Sequence, residues 1–290
     1  MLERLARPLA GISNALAGAV DRFYRILGRP GKFFQDFLNG AWLGHSVHLV
    51  LTDVVVGGGL VAILFVILGW FGVTGLDDAI DWTLLLMWLA AVATIATGLT
   101  DYKDTAIGNE RNIAGAHGMI NIVASIGLFK AWLVYLAEPG WLGPTLLIGS
   151  YLLLSLGAFV GGHLVFKYGY MVNFHAFGGE RRVRDFAPVL PVAELAPDTP
   201  TRVALGPTNL FVVRRGDLVY ALADTCSHAG GPLSKGAVVG DTIVCPWHGS
   251  AFRMADGAVR HGPATSRQVS YAARIHEGQV EVQGPRGVSR

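Results

Sequence analysis

Cys226 and His228 stand two residues apart, and Cys245 and His248 three apart. A thiolate and an imidazole held so close form a bidentate hook, and two such hooks can close on one small metal centre. The two cysteines are the only ones among 290 residues. Two Cys and two His can make a tetrahedral zinc site. Here each hook is mixed, and each His is followed within two residues by Gly, which lets a loop turn tightly. With both cysteines given to metal, none remains for a structural disulfide, which fits a reducing compartment and leaves the cytoplasmic side open.

The two boxes read CSHAGGPL from Cys226 and CPWHGSAF from Cys245. They resemble the cluster loops of the Rieske iron-sulfur family. That resemblance implies a 2Fe-2S cluster, with Cys226 and Cys245 on one iron and His228 and His248 on the other. A neutral imidazole in place of an anionic thiolate leaves less negative charge on the reduced cluster. The potential then lies between roughly −150 and +300 mV, against about −400 mV for all-cysteine ligation. High-potential members tie their loops with a disulfide, and the corresponding places here are Gly231 and Trp247. Those members also set a tyrosine two residues after a serine that donates to the cluster; this chain keeps Ser250 but has Phe252. Fewer donors leave more electron density on sulfur, so a potential in the low half of the range is expected, suited to a low-potential quinone.

Two kinds of element must position these groups. From about Asp185 the pattern is one of short alternating strands: Arg202 to Leu205, Leu210 to Val213, Leu218 to Ala223, Val238 to Val244, Val269 to Ile275 and Val280 to Val282. Gly-rich and Asp-rich turns separate them, which predicts a compact antiparallel β domain with both cluster loops at one end. Pro188, Pro191, Pro197 and Pro200 predict a semi-rigid linker before it. Upstream the composition changes. The whole chain is 52% hydrophobic and 15% charged, the latter low against roughly 25% for soluble domains. Four apolar stretches, about 49–72, 80–100, 116–137 and 144–166, are each long enough to cross a hydrocarbon core of about 30 Å. A net charge of +2 and the lack of a basic run interleaved with aromatics give no reason to expect a nucleic-acid partner. Residues 1–44 place Leu2, Leu5, Leu9, Ile12, Leu16, Val20, Phe23 and Leu27 at spacings of three and four opposite several arginines. This is an amphipathic helix for a lipid surface or a partner subunit, and Gly28, Pro30 and Gly31 are expected to end it.

The expected architecture is a multidomain membrane protein, a four-helix transmembrane bundle followed by a small antiparallel β Rieske domain. Its parts are an N-terminal helix 1–44, a bundle 45–172, a linker 173–200 and a cluster domain 201–290. Lys103 and Arg111 fall in one connection, and Lys167, Arg181, Arg182 and Arg184 follow the fourth span. Asp77, Asp78, Asp81 and Glu138 fall in the others. The positive-inside rule then puts both termini and the cluster domain on the cytoplasmic side of the inner (plasma) membrane, and no export signal is expected. The stretches GHSVHLVLTDVVVGG, AHGMINI and GGHLVFKYGYMV resemble a widespread family of four-helix membrane domains with no settled biochemical role.

Within the bundle, His45, His48, Asp53, Asp101, His117, Asn121 and His163 fall towards one end, with Asp104 and Ser125 nearby. Ionisable groups at membrane depth are costly and usually line an interior or a cavity. Three uses are open: a quinone head-group site with proton exchange, a haem b held by two histidines of facing helices, or polar bonding between helix ends. Lys130 is expected to snorkel outward. Gly57, Gly58, Gly59, Gly157, Gly161 and Gly162 are expected to bring helices close. His175 is a candidate for contact near the membrane, and His261 and His276 read as ordinary surface or loop residues. The chain lacks a Gly-rich dinucleotide fingerprint, so an electron donor must be a partner. The functional expectation is a membrane-anchored electron-transfer subunit between such a donor and a membrane quinone. The best candidates for the donor are the flavoprotein and iron-sulfur subunits of a succinate dehydrogenase. The alternatives are a haem-binding membrane cytochrome with a Rieske domain and a membrane-tethered iron-sulfur redox sensor.

Overall fold

The computed structural model describes residues 2–137, 140–178 and 182–286. Arg181 and Glu138, used above for orientation, lie outside the described residues. The chain forms two compact units, Met1–Leu38 with Ser46–Tyr170, and Asn39–His45 with Met171–Arg290.

The first unit is helical. A short helix α1 (Leu2–Ala6) leads into α2 (Ala10–Asn39), then α3 (Val47–Trp70), α4 (Asp77–Tyr102), α5 (Asn109–Ala137) and α6 (Leu142–Tyr168). The last four are long and apolar enough to cross a membrane. At 1.5 Å rise per residue, even the 24 residues of α3 extend about 36 Å. The main packing is α3 on α4, α4 on α5, α5 on α6 and α3 on α6. This closes an up-down bundle in which α3 and α5 face each other across a diagonal. Its core holds Ala62, Leu84, Met87, Leu128, Ala131 and Leu147, all nearly inaccessible, while Leu60, Leu64, Trp82, Leu86, Leu152 and Phe159 are exposed on the outer faces.

Gly59 leaves no room for a Cβ beside the Tyr151 ring, and one added at Gly58 would sit 2.7 Å from Met87 Cγ. Close helix approach is thus real at these two positions. Gly57 instead has open space, and Gly162 meets only its own helix at Phe166. Lys130 is exposed. Gly169, at φ 65°, ends α6 with its N–H on the Val165 carbonyl at 3.0 Å.

The N-terminal helix differs from expectation at its end. Gly28 (φ 60°, ψ −132°) kinks it, and the helix resumes to Asn39. Pro30 fits there because a residue just past a kink, like the first residue of a helix, lacks an i−4 partner anyway. The small-residue face of α2 packs on the bundle. The Tyr102 hydroxyl donates to the Ser13 carbonyl (2.8 Å), the Tyr24 and Thr100 hydroxyls share a 2.6 Å bond, and Glu3 pairs with Lys167. Leu5, Ile12, Phe23, Ile26, Phe33, Phe34 and Phe37 remain exposed.

The second unit is antiparallel β. One sheet has the order β1 (Val183–Pro191), β10 (Gln279–Arg286), β9 (Ser270–His276), β4 (Leu218–Ala223), β3 (Thr208–Arg215), β2 (Thr201–Leu205). The other has the order β5 (Ala237–Val239), β6 (Thr242–Val244), β7 (Ala251–Arg253), β8 (Val259–His261). The expected linker is therefore partly sheet. Pro188 and Pro191 lie in β1, opposite Glu281 and Gln279 of β10. Because β1 is an edge strand, prolines cost it no inner ladder bond. The run Val238 to Val244 is a hairpin rather than one strand, turned at Gly240 (φ 58°) and Asp241.

Candidate metal centre

Each hook sits in a loop held open by its own backbone. After β4, the Cys226 N–H donates to the Gly231 carbonyl (2.8 Å) and the Gly230 N–H to the Cys226 carbonyl (2.9 Å). After β6, the Cys245 N–H donates to the Ser250 carbonyl (2.8 Å) and the Gly249 N–H to the Cys245 carbonyl (3.1 Å). The same pair of bonds is thus made twice. It turns each loop so that its backbone amides point at its own sulfur: those of His228 and Ala229 at Cys226, those of Trp247 and His248 at Cys245.

The four side chains come together as two pairs. The Nδ1 atoms of His228 and His248 are 3.3 Å apart, with ring centroids at 5.1 Å and planes at 88°. Two imidazoles bonded to one metal at about 2.1 Å with a tetrahedral angle would stand about 3.4 Å apart, so the nitrogens fit one iron. The buried thiols face each other closely enough to share a hydrogen bond. That bond, with burial, pushes the Cys226 thiol up, while it lowers Cys245 to about 7. The thiols thus form one pair and the imidazoles another, a donor set that fits a 2Fe-2S cluster with one iron on each pair. Sulfur faces the core, where Cys226 and Cys245 pack with Phe211, Leu222, Leu233 and Phe252. The imidazoles are partly exposed.

Gly231 and Trp247, read as the places of an absent tie, do lie against each other. A Cβ at Gly231 would be 3.0 Å from Trp247 Cγ and 2.8 Å from Cys245 Sγ. Trp247 covers that point while remaining 57% exposed. Phe174 closes the first loop from the other side. Its N–H donates to the Ser227 carbonyl at 3.0 Å, and its ring lies over Gly230.

The sequence reading missed the residue that fastens the first loop. Gln268, buried 42 positions after Cys226, accepts the Ser227 N–H (2.9 Å) and donates to the carbonyls of Ala223 (2.7 Å) and Thr225 (2.6 Å). Buried Asp224 accepts the Ser234 N–H at 2.6 Å and pairs with Arg202 at 3.3 Å. A polar residue between two strands was the only signal for either.

The bundle residues are sorted differently from expectation. His48 and His117 come together, with centroids 6.2 Å apart, and Asn121 joins them by donating to the His117 carbonyl at 2.8 Å. Ser125 follows on the same helix, its hydroxyl donating to the Asn121 carbonyl at 2.8 Å. Asp53 is exposed on the outer face of α3, because two residues, about 200° around the helix, separate it from the inward-facing Val55. Asp101 is buried elsewhere. It accepts the Ser46 hydroxyl at 3.4 Å, and its carbonyl takes the Tyr170 hydroxyl at 2.8 Å. Asp104 pairs with Lys103. His163 lies edge-on to Tyr168, centroids 6.0 Å apart. His45 belongs to the segment Asn39–His45 of the β unit, where Gly44 approaches the Thr265 carbonyl.

Comparison with known proteins agrees with the centre. Residues 185–272 match the Rieske [2Fe-2S] domain family. The chain is 38% identical over 97 residues to ferredoxin CarAc of Metapseudomonas resinovorans, an alignment covering 33% of this chain and 91% of that protein. It is 33% identical over 103 residues to the anthranilate 1,2-dioxygenase ferredoxin subunit of Burkholderia cepacia, covering 36% of this chain and 95% of that one. Among solved structures, a complex of reduced oxygenase and oxidized ferredoxin in carbazole 1,9a-dioxygenase matches with 35% identity and a TM-score of 0.34, over 36% of this chain and 97% of that one. With relatives that are ferredoxin components covered almost end to end, the chain belongs to the Rieske [2Fe-2S] family and its β unit is an electron-transfer domain.

Proposed function

We propose that this protein is a membrane-anchored electron-transfer subunit. Its Rieske cluster, held by Cys226, His228, Cys245 and His248, takes electrons from a partner dehydrogenase on the cytoplasmic side of the plasma membrane and passes them towards a membrane quinone. One observation carries the reading: a domain related to ferredoxin components and four helices apolar enough to span a bilayer occur in a single chain. The cluster supplies one-electron chemistry. The protein's own groups bury the sulfur side, aim four backbone amides at the two sulfurs, and leave the imidazole side partly open to a partner. Two one-electron transfers and two protons convert a quinone to a quinol, which balances a two-electron dehydrogenase substrate. The donor we favour is a succinate dehydrogenase, through its flavoprotein and iron-sulfur subunits. The exposed apolar row from Leu5 to Phe37 would lie in the inner leaflet, with the arginines of the N-terminal helix near its anionic head groups.

The test is gentle purification with native partners, followed by EPR of the cluster. Succinate should reduce the cluster in the complex, and added quinone should reoxidise it. No loss of the reduced signal on adding quinone would overturn the acceptor. Co-purification of an oxygenase in place of a dehydrogenase would overturn the donor.

A further inference from the structure

The bundle carries one device twice. In the hairpin α3–α4, His48 lays its ring on Gly98 and its Nδ1 bonds the Thr94 carbonyl at 2.9 Å. In the hairpin α5–α6, His117 lays its ring on Gly161 and its Nδ1 bonds the Gly157 carbonyl at 2.8 Å. In each hairpin the accepting carbonyl comes four residues before the glycine. A Cβ added at Gly98 or at Gly161 would come within 2.8 Å of the facing imidazole Cε1, so nothing larger than hydrogen fits behind either ring.

A carbonyl can only accept. Each neutral imidazole therefore carries its proton on Nδ1 and its lone pair on Nε2. A histidine oriented by an Nδ1–H bond to a carbonyl is held the way metal-ligating histidines are held. The two rings come from helices on one diagonal of the bundle, with centroids 6.2 Å apart and planes at 81°. Two imidazoles on opposite sides of one metal, with bonds of about 2.0 to 2.1 Å and about 1.15 Å from nitrogen to ring centre, have centroids about 6.3 Å apart. Among the described residues no third His, Cys, Asp or Glu joins them to complete a metal site, so the equatorial ligands would have to belong to the bound group itself. Both cysteines of the chain lie in the cluster loops, so that group would be held without a thioether.

We propose that His48 and His117 are the axial ligands of a haem b held inside the bundle between α3 and α5. This deepens the relay reading and rests on it for the role alone. The haem iron would go from ferric to ferrous as the reduced cluster gives it one electron and is itself oxidised, and the quinone would take electrons from there.

The experiment uses the full chain, produced with iron and a haem precursor and purified in detergent. The expected result is a six-coordinate low-spin b-type spectrum and about one haem per chain by pyridine haemochrome. His48→Gln and His117→Gln retain an amide that can still donate to Thr94 or Gly157 while removing the ligand. Each should lower haem content at least about tenfold, with the Rieske EPR signal intact as evidence of a folded chain. Protein that stays haem-free through a hemin titration while showing that signal would overturn the site. So would full haem content in the double variant. If haem binds but is still reduced by succinate in a Cys226→Ser chain assembled with the partner dehydrogenase, the relay is wrong and the site stands. If no haem binds and quinone still reoxidises the cluster, the site is wrong and the relay stands.

Discussion

Ser250 is fully buried, and its Oγ accepts the Ala264 N–H at 3.0 Å, which leaves its own proton to donate, and the Rieske resemblance implies a cluster sulfur as the acceptor. Ser250→Ala should therefore act twice. It strands a buried amide, at a cost of about 1–3 kcal/mol, and it lowers the midpoint potential of the cluster. Phe252, fully buried two residues later, offers no such donor, so Phe252→Tyr should move the potential upward. A net hydrogen bond of about 1 kcal/mol corresponds to on the order of 40 mV for one electron. Redox titration followed by EPR reads both shifts. Shifts of the same sign, or a parent midpoint near the top of the Rieske range, would contradict this account of the sulfur environment. The ligand boxes were legible in the sequence because each hook is local: two residues and a glycine settle most of its geometry.

The elements that hold the boxes were less legible, because what fastens them comes from far along the chain. Gln268 reaches back from the start of β9 to three backbone groups around Cys226, and no spacing rule links those positions. Gln268→Leu leaves those groups unpaired in a buried place and should destabilise the β unit by about 3 kcal/mol or more. Loss of cluster absorbance on heating the full chain should come at a lower temperature. Edge strand β1 was read as linker for the opposite reason: its prolines argue against a strand until the strand is known to be an edge. The turn between β7 and β8 gives a pH test. Asp256 takes hydrogen bonds from Arg253 (2.7 Å), Arg267 (3.1 Å) and the Ala258 amide (3.1 Å), and the Arg253 bond above all holds its carboxyl well below the usual carboxylate range. A depressed folded pKa adds stability that is fully present above the unfolded value of about 4 and is lost as pH falls through the folded one. Asp256→Asn should thus be less stable than the parent at neutral pH, and the difference should shrink steadily below about pH 4. A constant difference down to strong acid would show that charge is not the cause.

At the scale of the whole molecule, the apolar lengths made the four helices legible, but not their inner faces. The row His48, Thr52, Val55, Gly59 turns inward while Asp53 turns out, and only packing decides which. The proposed orientation predicts that a periplasmic reporter phosphatase joined after Val73 is active and one joined after Arg286 is inactive. The reverse pattern would invert the topology. The matched docking of His48 on Gly98 and His117 on Gly161 has a consequence for ancestry and assembly. The hairpins α3–α4 and α5–α6 run in the same sense, so an axis along the bundle approximately exchanges them, as in parallel internal repeats. A two-helix peptide spanning residues 46–103 contains one whole half of the arrangement. Two copies of it, set around that axis, would bring a pair of identical imidazoles face to face without any help from α5 or α6.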